Sequence, residues 1–378
     1  MRFWPFRRPA SLSPPLPSED LLVTEERLRH AAEDVLEVHE RQIRGGVILF
    51  RGRLRTDGPR ALDTLLDRFE PFGYTPFLRA ERDGVLVQAW PLGDLTQPAR
   101  PVLALTLFAL TVASTFLAGA FFFVGSETFD AYRALPFPGW LISGTPFAVT
   151  LLTILGVHEF GHYFTARYYG AAVSLPYFIP APMLFGTFGA VIRMRSPARD
   201  RNSLFDIAAA GPLAGLLVAI PALILGLAWS RLVPAAGDGS LGGFGYSLLT
   251  RAFVHLRFGE VDGMAVMTHP MADAAWVGCF VTALNLFPVG QLDGGRIAYA
   301  LSARRHRALG MATWVVLLGL GALTGSVNWF VWAALLLVVV GFDHGPPLDD
   351  LTPLTPARRL LGIGCLVLTV FLLPPIPI

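Results

Sequence analysis

Residues 140–166 read WLISGTPFAVTLLTILGVHEFGHYFTA. An α-helix needs about 20 apolar residues to cross a hydrocarbon core, and this run is long enough to do so. It also holds His158, Glu159 and His162, and ionisable groups inside a spanning segment are expensive and normally mark a site. The same apolar character recurs outward from it. Val102–Val124 has the required length without a single charge, and Ile207–Trp229, Ala274–Val289, Leu309–Leu323, Trp329–Phe342 and Leu360–Leu373 follow. Some of these are short, so the expected architecture is a polytopic α-helical membrane protein with about six to seven transmembrane helices.

Composition agrees. Charged residues are 15% and hydrophobic residues 53% of the 378, against roughly 25% charged in ordinary globular proteins. Mean hydropathy is +0.53, and 28 Phe and 8 Trp add apolar bulk. A soluble domain has too little interior to hide that surface, so a lipid bilayer is the expected partner. Disordered, collagenous and disulfide-scaffold classes are excluded. The net charge of +2 and the lack of a basic tract outside the apolar segments argue against nucleic acid as a partner. Cys279 and Cys365 both lie in apolar stretches and read as small buried hydrophobes. All 30 basic residues are arginine.

The first hundred residues differ. Met1–Pro17 is rich in Pro and Arg and has no apolar core, so it is not a secretory signal, and an organellar transit sequence is the lesser reading. Residues 1–18 are expected to form a flexible N-terminal segment and residues 19–95 a small soluble α+β domain. Within it, the charged stretch Glu19–Arg44 reads as helical. Val47–Phe50 reads as a strand continuing through Arg51 and Arg53, and Pro59–Phe69 as a helix with Leu62, Leu65, Leu66 and Phe69 at helical spacing. Gly73 ends that helix, and Phe77–Leu78 and Val85–Trp90 supply two more strands about the Asp83-Gly84 turn. Arg51, Arg53 and Arg55 read as a solvated strand face. A Pro-rich joint, Pro91–Pro101, leads to a transmembrane domain expected over residues 101–378.

Arginine placement orients the helices. With the N-terminus cytoplasmic, Arg167, Arg193, Arg195, Arg199, Arg201, Arg296, Arg304, Arg305 and Arg307 all fall inside, and the first outer loop holds only Arg133. That is the positive-inside bias. A bacterial cytoplasmic membrane is the expected location.

The chemistry centres on His158-Glu159-Phe160-Gly161-His162. On a helix, positions i and i+4 share a face, so both imidazoles can bind one Zn²⁺. Glu159, beside the first ligand, reaches a water at the metal and can take its proton, while zinc acidifies the water and polarises a carbonyl. A catalytic zinc wants a third protein ligand, and Asp293 offers one at the inner end of the Ala274–Val289 helix, at a depth similar to the histidines. By itself Asp293-Gly294-Gly295 reads as a turn; next to the first motif the ligand reading is favoured. Pro288 would break the helix and let the chain turn Asp293 towards the metal. Asn285 suits either an oxyanion or substrate contact or a capping or interhelical one.

The His-Glu-x-x-His run together with Asn285-Leu286-Phe287-Pro288 and Leu292-Asp293-Gly294 resembles the site-2 protease family of intramembrane zinc metalloproteases. The resemblance implies His158, His162 and Asp293 as ligands of one zinc per chain, and Glu159 as catalytic base. It further implies a core of three transmembrane helices over about residues 140–300. Ala210-Gly211-Pro212 is similar to that family's small-residue motif, whose glycines let helices approach closely. Gly290, the stretch Gly186–Ile192 and the N-terminal module look closest to the cyanobacterial and chloroplast branch. Two features of other members are not expected. Arg231–Asp273 is too short for a PDZ domain, and the tail after Leu373 leaves no room for a CBS domain.

The implied activity is an intramembrane zinc endopeptidase acting on transmembrane protein substrates. Such a protease must unwind its substrate, and an extended edge at Gly186–Met194 would replace the lost hydrogen bonds by β-strand addition; a packed re-entrant loop is an equal reading. The other histidines, His30, His39, His255, His269, His306 and His344, are expected to be solvated. Two other functions compete: an intramembrane metal transporter or sensor, against which no second intramembrane His/Asp/Glu set is seen, and a catalytically silent membrane scaffold. The oligomeric state is not legible.

Overall fold

The computed structural model describes residues 18–91, 100–123, 139–181, 185–234, 245–260 and 263–374. The expectations for residues 1–17, the Arg133 loop and most of the Pro91–Pro101 joint lie outside those residues. The N-terminal region holds α1 (Ser18–Ala32), β1 (Leu36–Arg44), β2 (Val47–Leu54), α2 (Gly58–Phe69), β3 (Thr75–Glu81) and β4 (Gly84–Trp90). The strands form an antiparallel sheet in the order β1-β2-β4-β3. Asp57 starts α2 by accepting the Arg60 N–H, which satisfies one of the orphan donors of the first turn. The helix buries Ala61, Leu62, Leu65 and Phe69 against Ile48, Phe50, Phe77 and Val87 of the sheet.

One expectation there is corrected. Glu19–Arg44 is not helical throughout: the helix ends at Ala32 and Leu36–Arg44 is an edge strand paired with β2. Glu37, His39, Glu40 and Arg41 made it look like a solvated helix. Charge on an outer strand is instead what keeps a sheet edge from pairing with other chains. Arg51 does lie on a solvated face, bonded to Glu40 and Glu81.

Past residue 100 the described chain is mostly helical. The helices are α3 (Pro101–Phe122), α4 (Thr145–Tyr168), α5 (Arg201–Ala228), α6 (Leu248–Phe258), α7 (Pro270–Asn285), α8 (Asp293–Leu301), α9 (His306–Thr324), α10 (Val327–Leu335, running into a π-turn over Leu336–Val340) and α11 (Pro356–Leu372). Among the described residues, four stretches are long and apolar enough to cross a membrane: Pro101–Phe122, Trp140–Tyr168, Arg201–Ala228 and His306–Thr324. Among the other expected spans, α7, Val327–Val340 and α11 are shorter.

The reason α7 is short bears on the site. The apolar run continues to Val289, but the helix stops at Asn285, three residues before Pro288, because proline disfavours helical backbone behind it. The turn that follows buries Leu286, Phe287 and Val289 in the core. Non-helical backbone at such depth is tolerated only where protein encloses it.

Small residues let α4, α5 and α7 approach closely. A Cβ at Gly161 of α4 would stand 2.7 Å from the Ala210 carbonyl of α5, and one at Gly278 of α7 would stand 2.8 Å from Ile154 of α4. Leu175–Arg195, too broken to span, contains an antiparallel hairpin of β5 (Tyr177–Pro180) and β6 (Thr187–Val191). A second antiparallel pair, β7 (Arg231–Pro234) with β8 (Met264–Met267), lies between α5 and α7 in sequence, with α6 between its strands.

Candidate metal centre

His158 and His162 lie one turn apart on α4 and are 3% exposed, and Asp293, the first residue of α8, is 9% exposed. Their donor atoms converge. His158 Nε2 and His162 Nε2 are 3.2 Å apart. Asp293 Oδ2 lies 3.1 Å from His162 Nε2 and 3.4 Å from His158 Nε2. Bonds of about 2.0–2.1 Å in a tetrahedral arrangement set neighbouring donors about 3.3 Å apart, so the three atoms already trace one face of such a site. Among the described residues this is the single group of three His, Cys, Asp or Glu residues able to hold a metal.

Two details of α5 fix the imidazoles. The Ile207 carbonyl lies 2.6 Å from His162 Nδ1. A carbonyl only accepts, so Nδ1 carries the proton and Nε2 presents its lone pair to the metal position, the usual outer arrangement of a metal-binding histidine. Gly211 and Gly215 provide the space. A Cβ at Gly211 would stand 2.1 Å from His162 Nε2, and one at Gly215 would stand 3.2 Å from His158 Cβ. At Gly211 even a methyl group would displace the ring.

Asp293 owes its position to the tight turn before it. Gly290 adopts a positive φ of 51°, which glycine does at little cost. Gly294 and Gly295 pack against the turn: a Cβ on Gly294 would meet the Leu286 carbonyl at 1.9 Å, and one on Gly295 the Gly290 carbonyl at 2.4 Å. The Asp-Gly-Gly run is thus a helix start forced against a turn.

Glu159, 5% exposed, sits beside the cluster with Arg296 and the backbone of Ile192 near it. Asn285, the last residue of α7, places Nδ2 3.4 Å from His158 Nε2. All five residues singled out in the sequence therefore come together around one point.

The remaining histidines divide. His30, His39 and His255 are exposed, and His269 caps α7 by accepting the Met271 N–H. The expectation of solvation is corrected for His306, which is 4% exposed, and for His344, whose ring nitrogens are buried. Both rings pack with Tyr299 of α8, because the segment after α10 folds back over α8. Burial, with the Arg296 charge nearby, pushes the His344 imidazole down to about 3 and keeps it neutral. The Ile207 carbonyl and Arg296 were not anticipated. A backbone acceptor leaves no trace in side-chain pattern, and in the sequence Arg296 reads only as one of the inner-side charges.

Comparison with known proteins agrees with the cluster. Residues 146–327 match the family model described as Peptidase family M50. The chain is similar to "Probable zinc metalloprotease EGY2, chloroplastic" of Arabidopsis thaliana, 29% identical over 345 residues, which cover 88% of this chain and 60% of the relative. The EGY2 protein of Oryza sativa subsp. indica is 30% identical, with 88% and 62% covered. "Probable zinc metalloprotease EGY1, chloroplastic" of Arabidopsis thaliana is 31% identical over 297 residues, with 72% and 53% covered. The chain thus spans about three-fifths of the length of the EGY2 relatives. Those relatives are chloroplast proteins by name, which runs against the bacterial cytoplasmic membrane expected from the sequence. No solved structure matches.

Proposed function

We propose, on the premise that residues 146–327 are a peptidase family M50 domain, that this chain is an intramembrane zinc endopeptidase hydrolysing peptide bonds in or near transmembrane segments of other proteins. The observation that carries the proposal is the 3.1–3.4 Å triangle of His158, His162 and Asp293 donor atoms. Its spacing fits zinc, two imidazoles and a carboxylate are a set zinc favours, and three protein ligands leave the fourth position open. Held by His158, His162 and Asp293, zinc would supply the Lewis acidity that polarises a scissile carbonyl and acidifies a water towards neutral pH.

The chain's own residues do the rest. Glu159 takes the proton from the attacking water and passes it to the leaving amine, a general base that then acts as acid. Asn285 Nδ2, aimed at the same point, donates to the oxygen that gains charge as the carbonyl is attacked. The walls of α4, α5 and α7 keep bulk water out, which strengthens both interactions. If Asn285 serves the oxyanion, Asn285→Ala lowers kcat by about 10²–10³-fold with little change in KM. Steady-state kinetics on a model transmembrane peptide measure it, and a rise in KM alone would make Asn285 a binding residue.

The hairpin suits substrate presentation. Strand β6 pairs with β5 on one side only among the described residues, Phe188 and Val191 are exposed, and Ile192, just beyond its end, lies near Glu159. A substrate unwound from helix would pair along the free edge of β6, exchanging its own hydrogen bonds for new ones. We place about seven helices in the membrane, α3, α4, α5, α7, α9, α10 and α11, with the N-terminal sheet on the side of the arginine-rich loops. That sheet with its two helices, the described part of the domain expected over residues 19–95, is then a soluble domain ahead of the membrane domain.

The test is metal dependence. The purified chain contains about one zinc, cleaves a transmembrane peptide in proteoliposomes, loses cleavage to a chelator and regains it with added zinc. Cleavage indifferent to chelation would end the proposal. Metal flux without hydrolysis would favour a transporter.

A further inference from the structure

Segment 348–350 bridges two parts of the molecule far apart in sequence. On one side the Leu78 N–H of β3 donates to the Leu348 carbonyl at 2.7 Å, and the Asp350 N–H donates to the Leu78 carbonyl at 3.0 Å. On the other side the Leu348 N–H donates to the Ala198 carbonyl at 2.9 Å, and the Asp349 N–H to the Arg199 carbonyl at 2.8 Å. Both pairings are parallel bridges. Leu348 is buried in the core under the N-terminal sheet, and Asp349, 1% exposed, accepts the N–H groups of Leu351 and Thr352. The N-terminal sheet therefore continues, through 348–350, to the residues that lead into α5.

The Asp350 carboxylate stands at the junction. It accepts Arg201 Nε, at the first residue of α5, at 2.8 Å, and the Tyr299 hydroxyl of α8 at 3.2 Å. Helix α8 begins with Asp293 and has no side-chain cap at that end. Its N-terminal end is wedged by Gly294 and Gly295. Tyr299 is six residues on, about 9 Å along the axis, and holds the other end.

We propose that Asp350 is a positioning residue for the peptidase centre: by gripping Tyr299 and Arg201 together it sets the rotation of α8, and hence the place of the Asp293 carboxylate, from the edge of the N-terminal sheet. This rests on the zinc-peptidase reading. A carboxylate accepting from a guanidinium and a hydroxyl makes charge-assisted, directional bonds. Without them α8 keeps its apolar packing, with Ile297 and Ala300 in the core, but loses the directional bonds that fix its rotation, and a shift of Asp293 by fractions of an ångström opens the donor triangle. Misplacement by about 1 Å costs on the order of 10²-fold in rate. The N-terminal sheet is on this account part of the catalytic unit, coupled to it through four backbone hydrogen bonds and one carboxylate.

The experiment uses the full chain in liposomes, with Asp350→Ala, Asp350→Glu, Tyr299→Phe and the Asp350→Ala/Tyr299→Phe pair, and Glu40→Gln as a control on the same sheet. Measured are kcat and KM on a transmembrane peptide, zinc retention against a competing chelator, and the unfolding midpoint. Asp350→Ala is expected to lower kcat by about 10–100-fold with KM within about twofold, to release zinc at lower chelator, and to keep its unfolding midpoint. Tyr299→Phe should shift kcat and zinc retention the same way, the pair should do no worse than Asp350→Ala alone, and Asp350→Glu should recover part of the loss. Wild-type kcat and zinc retention in Asp350→Ala, or a loss matched by a fall in unfolding midpoint and additive with Tyr299→Phe, would overturn the inference. A wild type that neither holds zinc nor cleaves marks failure of the peptidase reading instead.

Discussion

Glu159→Gln is expected to remove peptide hydrolysis, with kcat falling by about 10²–10⁴-fold, the usual contribution of a positioned general base, and zinc content unchanged. Glutamine matches the size and burial of glutamate, so the packing beside Ile192 and Arg296 survives. An amide nitrogen or oxygen takes no proton near neutral pH, so the transfer from water to leaving amine has no carrier. The proposed ligands, His158, His162 and Asp293, do not change. Residual cleavage at the wild-type rate would remove Glu159 from the mechanism. Simultaneous loss of zinc would make Glu159 a ligand or a support for one.

The second large effect is steric. Gly211→Ala is expected to abolish zinc binding and activity, although in an exposed helix interior the same change would stabilise by roughly 0.5–1 kcal/mol. The sign reverses because the added methyl would sit 2.1 Å from His162 Nε2 and 2.4 Å from its Cε1. The ring is pinned from two sides, by the Ile207 carbonyl at 2.6 Å and by its own helix. It yields only by breaking that hydrogen bond and leaving the donor triangle, or by forcing α4 and α5 apart. Overpacking of this kind costs about 1–3 kcal/mol. Zinc content and a thermal melt separate the outcomes, with Gly156→Ala as a comparison, since a Cβ there meets nothing within 4 Å. Full zinc occupancy in Gly211→Ala would mean that α5 does not shape the site as described.

The parts of this site that could be read from sequence are those whose spacing carries the geometry. His158 and His162 share a helix face because a helix repeats every 3.6 residues, and their apolar surroundings on Trp140–Ala166 set their depth. Asp293 is less direct: an Asp-Gly-Gly run is a common turn, and it becomes a ligand candidate only beside the His-Glu-x-x-His motif, which wants a third ligand at a matching depth. Packing then explains why the run takes the form it does, with Gly294 and Gly295 accommodated against the carbonyls of Leu286 and Gly290.

What could not be read depends on tertiary contact. The Leu36–Arg44 strand carries edge charges that mimic a solvated helix, and only its pairing with β2 decides it. His306 and His344 lie outside every apolar run, and are buried because the segment after α10 folds back across α8. The Ile207 carbonyl is backbone. Asp350 sits in a Pro- and Asp-rich stretch that looks like a surface loop. Its bonds to Arg201 and Tyr299 span 149 and 51 positions, a separation that no local pattern announces.

The central claim is that two imidazoles and one carboxylate hold a single zinc. X-ray absorption at the zinc edge of the purified chain tests it most directly. The account predicts one zinc per chain in a four-coordinate shell of nitrogen and oxygen at about 2.0–2.2 Å, with the outer scattering of two imidazoles, and loss of one light scatterer or of the metal in Asp293→Ala. A sulfur shell at about 2.3 Å, a single-imidazole signature, or a spectrum unchanged by Asp293→Ala would contradict it.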